Sequence, residues 1–329
     1  MSGLARLVRQ RGAEVSGSDR GDNAAVAAVR AAGIDVTLDQ TAASVPAGCD
    51  TLVISAAIPE DHPEVIEARR RGVEVVKYAA MLGRLMGQSG TAGVAIAGTH
   101  GKSTTTAILC HVLLSAGLDP SFILGAHCAQ IGGGSRAGGR SVSGEWGVVS
   151  GEETSSATRK DASPHSPTPP HHSPPPHLLI AEACEYDRSF HHLRPTHAVV
   201  LNVEADHLDI YDSLDAIVES FATFARLLPP ASGGNSGGGS LLIQHESPHR
   251  LAVTAGVSCK TETIGFASQA DWRVRVEGQT VTLHHHGQAV CAWVQPMPGD
   301  HFAYNAAAAA VTAHRLGATW EAIGPAVAN

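Results

Sequence analysis

The sequence predicts an α/β fold in two units. The first is an amino-terminal, doubly wound parallel sheet; the second is a mostly parallel sheet with a small antiparallel meander, organised by a glycine-punctuated strand-to-helix turn. Three observations predict it. Short apolar runs alternate with helix-like stretches along residues 1–86, the pattern of parallel strands joined by crossover helices. Hydrophobic residues make up 43% of the chain and aromatics only 4%, which suits a Val/Leu/Ala interior between sheet and helices. The run Val94 to Ala97 is followed at once by Gly98-Thr99-His100-Gly101-Lys102-Ser103-Thr104 and a helical pattern through Ile108, Val112 and Leu113.

In the first unit, the pattern predicts helices at Ser2 to Gln10, Ala24 to Ala32 and Pro63 to Arg71. Strands are predicted at Glu14 to Gly17, Asp35 to Thr37, Leu52 to Ser55 and Val73 to Val76, a Rossmann-like arrangement over residues 1–86. Asp19 closes the Ser16-Gly17-Ser18-Asp19 turn at a strand end. There a carboxylate can bond a ribose or base edge, or simply cap a helix or face solvent.

The second unit, 87–329, opens with the glycine turn. Glycines let backbone N–H groups approach phosphate oxygens, a helix N-terminus adds partial positive charge, and Lys102 supplies a mobile cation. The Ser103 hydroxyl can join a magnesium shell. The first glycine of the usual Walker A spacing would fall at Ile96, so the turn is a shortened P-loop, and an ordinary strand-to-helix turn is its plainer reading.

Pro120 to Leu124 reads as a strand. From about 134 to 177 a tract rich in Ser, Pro, Gly and His is expected to be a disordered surface insertion, with its histidines exposed and not metal-bound. Leu178 to Ala181 is a buried strand with Glu182 at its carboxyl end, and Ala198 to Val203 is another, ending in Glu204, Asp206, His207 and Asp209. Two acidic strand ends downstream of a phosphate loop predict a divalent-metal site, with Glu182 as a magnesium ligand; a salt-bridged loop is the alternative for either alone.

A helix at Leu214 to Leu228, a glycine loop through Gly233 to Gly239 and a strand at Leu241 to Gln244 follow. Trp272 to Glu277, Thr280 to His285 and Ala289 to Val294 make the meander, with His284-His285-His286 read as exposed loop. A loop carrying His301 and Asn305 then leads into an alanine-rich helix from Ala306 to Leu316; Asn305 either grips a nucleotide or caps that helix.

A net charge of −8 without a basic stripe argues against nucleic acid as a partner. No apolar run approaches the ~20 residues of a membrane span, no leader opens the chain, and six scattered cysteines fit a reducing, cytoplasmic compartment.

Four ordered motifs carry a resemblance: Ala97 to Thr105, Ile180 to Phe190, Asn202 to Tyr211 and Pro298 to Ala309. Together they resemble the Mur ligase superfamily, and within it the branch that joins L-alanine to UDP-N-acetylmuramate in peptidoglycan synthesis. Ser16 to Asp19 and Ser55 to Glu64 are similar to the family's UDP-sugar domain, while Cys184 and Tyr186 stand where Asp and Ser are more usual.

The resemblance implies ATP and Mg2+ as cofactors and amide formation through an acyl phosphate. Gly98, Thr99, His100, Gly101, Lys102, Ser103 and Thr104 would hold the phosphates, with His301 and Asn305 at the adenine or ribose. Ser103, Glu182 and His207 would be metal ligands, Lys102, Glu182 and His207 catalytic, and Asp19 and Ser55 would face the uridine nucleotide. Removing Lys102 is expected to abolish turnover and leave the fold intact.

In the family a glycine-rich loop precedes the segment that starts here at Met1, and an amino-acid-binding domain follows Asn329. The expectation is a chain lacking both. The murein tripeptide ligase of the same family and a nucleotide-binding module without ligase activity are the alternatives.

Overall fold

The computed structural model describes residues 1–138, 177–207, 209–231 and 238–329. Residues 139–176, most of the expected insertion, and 232–237 of the glycine loop lie outside the described residues.

The amino-terminal elements run α1 (Ser2–Gln10), β1 (Ser16–Ser18), α2 (Ala24–Ala31), β2 (Asp35–Thr37), β3 (Thr51–Ile54), α3 (Pro63–Arg70), β4 (Glu74–Lys77) and α4 (Tyr78–Met86). Their starts are chemically marked. The Asn23 side chain accepts from the Ala25 and Val26 N–H groups ahead of α2, and Pro63 opens α3, where its missing N–H costs nothing. In place of one doubly wound sheet, β1 pairs in parallel with β2, and β3 with β4, as two separate ladders. Alternation of strand and helix encodes strand direction, not which edges meet. Helix α4 has no counterpart in the sequence reading. It buries Leu82, Leu85 and Met86, and Gly83 lies so close to the His192 carbonyl that a Cβ would stand 1.9 Å from it.

The central elements are β5 (Thr91–Ala97), α5 (Lys102–Ser115), β6 (Ser121–Ile123), β7 (Ser135–Arg136), β8 (His177–Glu182), β9 (His197–Val200), α6 (Leu214–Ala225), β10 (Ser240–Gln244) and α7 (Arg250–Thr254). They continue through β11 (Lys260–Gly265), β12 (Trp272–Glu277), β13 (Thr280–His285), β14 (Gln288–Val294), α8 (Asp300–Arg315) and α9 (Trp320–Ala328). One sheet takes the order β14-β13-β12-β11-β10-β9-β5-β8-β6-β7. It is parallel from β6 to β12, with β7, β13 and β14 antiparallel at its edges.

Strand β5 is central and buried on both faces, and its period-2 alternation divides the core. Val94 and Ile96 face α5 and the alanine-rich α8, while Ala95 and Ala97 face α6 and α4. Phe221 and Phe224 of α6 anchor that second face, each contributing about 2 kcal/mol or more by burial. Helix α1 joins it too: Leu4 and Leu7 are buried there, and the Gln10 side chain accepts from the Ala137 N–H at 2.9 Å. The first helix is therefore clamped to the edge of the central sheet.

Several expectations are corrected. At the ends of the span expected to be disordered, Ser135 and Arg136 pair with β6 and His177 begins β8. Helix α8 begins at Asp300, so His301 and Asn305 lie on the helix and not on a loop before it, which removes the capping role for Asn305. His285 is not exposed loop. It stands directly opposite Trp272 in the antiparallel register and stacks on it at 3.8 Å between ring centroids. Among the described residues, no helix is long and apolar enough to cross a membrane.

Candidate nucleotide and metal site

The site is built at the carboxyl ends of β5, β8 and β9, where parallel sheets present their loops. After Ala97 the chain turns through Gly98 (φ 141°) and Gly101 (φ 85°), backbone conformations that only glycine adopts without strain. Space demands glycine as well. A Cβ on Gly98 would meet the Leu201 Cβ at 3.0 Å, and one on Gly101 the Asn305 Oδ1 at 2.7 Å.

The turn is sewn to the segment leaving β9. Thr99 N–H donates to the Asn202 carbonyl (3.2 Å) and His100 N–H to the Asn202 Oδ1 (2.7 Å). The Asn202 amide donates back to the His100 carbonyl (3.1 Å), and Glu204 N–H donates to the Thr99 hydroxyl (3.0 Å). Gly101 caps α5 with no side-chain acceptor on the first turn. The opening N–H groups of a 14-residue helix thus face outward with the positive end of its dipole, which suits an anion.

Lys102 folds back over this turn. Its ammonium lies 2.9 Å from both carboxylate oxygens of Glu185, 2.6 Å from the Gly98 carbonyl and 3.2 Å from that of Thr99. Glu185 is buried, its side chain 3% exposed against 17% for Lys102. Ser103 donates from its hydroxyl to Glu182 Oε2 at 3.0 Å, and Glu182 Oε1 accepts the Gly125 N–H at 2.7 Å. Tyr78 borders this carboxylate: burial, reinforced by the Glu182 charge, pushes its phenol up to about 12.

Beside the lysine, Glu185, Asp206 and His207 each offer a ligand atom, all within 4.8 Å of one another. His207 Nε2 is 3.8 Å from Glu185 Oε1 and 3.7 Å from Asp206 Oδ2. His207 itself holds a left-handed backbone (φ 52°), and the Tyr186 ring meets its imidazole edge-on at 5.3 Å. The donor set, a hydroxyl and three carboxylates with one imidazole, suits Mg2+ or Mn2+.

The structure brings together Gly98 to Ser103, Glu182, His207 and Asn305. Asn305 is buried on α8 against Gly101, next to Tyr304, whose hydroxyl donates to the Leu201 carbonyl at 3.0 Å and whose phenol is driven well above its ordinary range by burial. Thr104 sits half-buried in the first turn of α5, and His301 is exposed in the first turn of α8. Asp209, grouped with Asp206 and His207 in the sequence, is exposed and outside the cluster. Glu185 is the residue the sequence did not single out; its signal was the acidic run after β8.

Asp19 and Ser55 stand apart from this cluster. Asp19 Oδ1 accepts the Gly21 N–H (3.1 Å) at the end of β1, and the Ser55 carbonyl accepts the Ile58 N–H (3.2 Å) after β3, on the other ladder. A concavity of about 340 Å³ lies along β1 and β2, lined by Ser16, Gly17, Asp35, Thr37, Thr41 and Ser44 among others; neither Asp19 nor Ser55 belongs to its lining.

Two family models match the chain: "Mur ligase family, catalytic domain" over residues 1–89 and "Mur ligase middle domain" over residues 96–313. UDP-N-acetylmuramate–L-alanine ligase of Streptomyces coelicolor is 36% identical over 335 residues, covering 100% of this chain and 63% of its own length. The enzyme of the same name from Salinispora arenicola is 34% identical over 334 residues, covering 100% and 57%. The chain thus spans roughly three fifths of the length of the curated relatives it matches.

Among solved structures, UDP-N-acetylmuramate:L-alanyl-γ-D-glutamyl-meso-diaminopimelate ligase from Neisseria meningitides superposes with a TM-score of 0.77 at 24% identity, over 100% of this chain and 94% of that one. UDP-N-acetylmuramate–alanine ligase from Thermotoga maritima gives 0.73 at 19% identity, over 99% and 65%. At these identities the likeness speaks to the fold.

Proposed function

This chain belongs to the Mur ligase family, and on that premise we propose that its site serves an ATP-dependent ligase that joins L-alanine to the lactyl carboxylate of UDP-N-acetylmuramate, in the cytoplasm. The single observation that carries the reading is the convergence of Lys102, the Ser103–Glu182 pair and the Glu185–Asp206–His207 cluster at three neighbouring strand ends.

A carboxylate does not react with an amine at useful rates, so the γ-phosphoryl group of ATP is first transferred to it. The amine of L-alanine then attacks the acyl phosphate carbon, the carbon–oxygen bond to phosphate breaks, and an amide and inorganic phosphate result. The protein's contribution is positioning and charge neutralisation. The turn from Gly98 to Gly101 and the first turn of α5, through Ser103 and Thr104, receive the β- and γ-phosphates on backbone N–H groups. Lys102 shifts its ammonium from the Gly98 and Thr99 carbonyls onto the phosphoryl oxygens. Ser103 and Glu182 would hold one Mg2+, and Glu185, Asp206 and His207 a second divalent ion. Bound there, the ions neutralise phosphate charge and polarise the transferring group. Asn305 and His301 face the adenine or ribose, and Asp19 and Ser55 the uridine nucleotide.

The test is phosphate release by the purified chain with ATP, Mg2+ and UDP-N-acetylmuramate, with and without L-alanine, and with the tripeptide L-alanyl-γ-D-glutamyl-meso-diaminopimelate in its place. Release that needs L-alanine and disappears in Lys102→Ala supports the reading. Release with the tripeptide alone replaces it by the murein peptide ligase activity. No release despite Mg2+-dependent ATP binding reduces it to a nucleotide-binding portion.

A further inference from the structure

We propose that Tyr211 is a positioning residue for the Glu185–Asp206–His207 cluster, an inference that rests on reading the cluster as a divalent-cation site. Tyr211 is fully buried and touches the backbone of two cluster members that are far apart in sequence. Its hydroxyl donates to the Glu185 carbonyl at 2.6 Å, and its own N–H donates to the His207 carbonyl at 3.0 Å.

The direction of the side-chain bonds follows from proton counting. A carbonyl only accepts, so Tyr211 spends its single hydroxyl proton on Glu185. Ser220 Oγ, 3.1 Å away, therefore donates to the Tyr211 oxygen, while His191 Nε2, 3.0 Å from that hydroxyl, donates its proton to the Ser220 carbonyl at 2.9 Å. Burial lowers the His191 pKa, and the Ser220 carbonyl, which only accepts, requires the proton on Nε2. The phenol is thus fixed in rotation as well as in place.

What it holds is strained. Asp187 and Arg188, just after Glu185, are left-handed at φ 53° and 52°, and His207 is left-handed at 52°. Non-glycine residues keep such conformations only where surrounding contacts enforce them. The Arg188 guanidinium covers the Tyr211 ring at 5.1 Å, and the Arg188 backbone N–H is the second donor to the Glu185 carbonyl, at 3.0 Å. Without the phenol hydroxyl, the Arg188 N–H alone would tie that carbonyl, and the turn carrying the Glu185 carboxylate is free to relax.

The experiment is Mn2+ titration of the full chain without nucleotide, read by electron paramagnetic resonance of free Mn2+, with thermal unfolding recorded in parallel. Tyr211→Phe keeps the ring and its packing; it is expected to raise the Mn2+ Kd about tenfold while its unfolding midpoint stays near that of the wild type. Ser220→Ala removes the other partner of the phenol but not its bond to Glu185, and is expected to bind Mn2+ like the wild type. Unchanged affinity in Tyr211→Phe, alongside weakened affinity in Glu185→Gln, overturns the role of Tyr211 and leaves the cation site standing. Unchanged affinity in Glu185→Gln as well overturns both. Should Tyr211→Phe not fold, hydrogen exchange on the wild type decides. Saturating Mg2+ is expected to slow the Tyr211 and Arg188 amides, which donate to the two cluster carbonyls, and unchanged exchange overturns the proposal.

Discussion

Lys102 and Glu185 form a buried ion pair in which one ammonium meets both carboxylate oxygens at 2.9 Å, and the same carboxylate belongs to the cluster with Asp206 and His207. One acid therefore joins the glycine turn to the Glu185–Asp206–His207 cluster, and on the proposed function phosphate and metal would redistribute its charge as they bind. This changes what removal of Lys102 means. The sequence predicts an intact fold, but Lys102→Ala leaves Glu185 buried without its cation, at a cost of about 3 kcal/mol. Phosphate release is expected to fall at least about a hundredfold. Urea unfolding with and without Mg2+ separates the two effects: Mg2+ restores part of the lost stability by binding Glu185, but not the activity. Full stability of Lys102→Ala in the absence of Mg2+ contradicts the pair.

Glu182 has a different task. It accepts from Ser103 and from the Gly125 N–H, and an amide oxygen satisfies the second of these as well as a carboxylate does. Glu182→Gln is thus expected to shift stability by less than about 1 kcal/mol. The Mg2+ concentration needed for half-maximal phosphate release rises, since a neutral amide is a poor ligand for a hard cation. A Mg2+ titration of activity beside a denaturation curve reads both, and an unaltered Mg2+ requirement removes Glu182 from the metal shell.

Gly101→Ala combines two penalties. The position is left-handed at φ 85°, and the new Cβ lies 2.7 Å from Asn305 Oδ1. Gly117 is also left-handed, at φ 73°, but opens onto free space, so Gly117→Ala isolates the backbone term of about 1 kcal/mol. Gly101→Ala is expected to cost up to about 3 kcal/mol and to weaken ATP binding by displacing Asn305. Equilibrium unfolding of the two variants side by side checks the difference; equal losses show that the turn yields without strain.

The parts of this architecture that depend on near neighbours in sequence are legible without a structure. The shortened glycine turn, the strand run Leu178 to Ala181 and the meander from Trp272 to Val294 declare themselves by period and punctuation, and the strand ends locate Glu182 and His207. Pairing between distant segments does not declare itself. Nothing local says that β1 and β3 sit on separate ladders, or that Leu4 and Leu7 pack against the central sheet. In the sequence Asn305 reads equally as a nucleotide contact or as the cap of a helix starting at Ala306; the helix in fact starts at Asp300, and that places the Asn305 amide against Gly101. Glu185 does not stand out in the sequence for the same reason: its importance lies in Lys102 and His207, 83 residues before it and on the next strand end.

The structure also fixes how stability responds to acid. His197, at the start of β9, donates or accepts through Nδ1 with the Ser240 hydroxyl at 2.8 Å, and its pKa is lowered to about 4, first by burial and then by the Arg315 charge. The unfolded chain protonates this ring near pH 6.5, whereas the folded one resists until about 4. Between those values the unfolded state binds the extra proton, so the contribution is complete above about pH 6.5 and is lost as the pH falls. By pH 5 the loss amounts to about 2 kcal/mol relative to pH 7. Burial also lowers His177, His191 and His285, which add to the slope with the same sign. His197→Asn keeps a hydrogen-bonding partner for Ser240 but does not titrate. Urea unfolding at pH 7 and pH 5 is therefore expected to show a difference smaller by about 2 kcal/mol in the variant than in the wild type. An identical pH dependence in the two proteins means that the His197 ring takes up its proton in the folded state as readily as in the unfolded chain, and overturns the effect of burial.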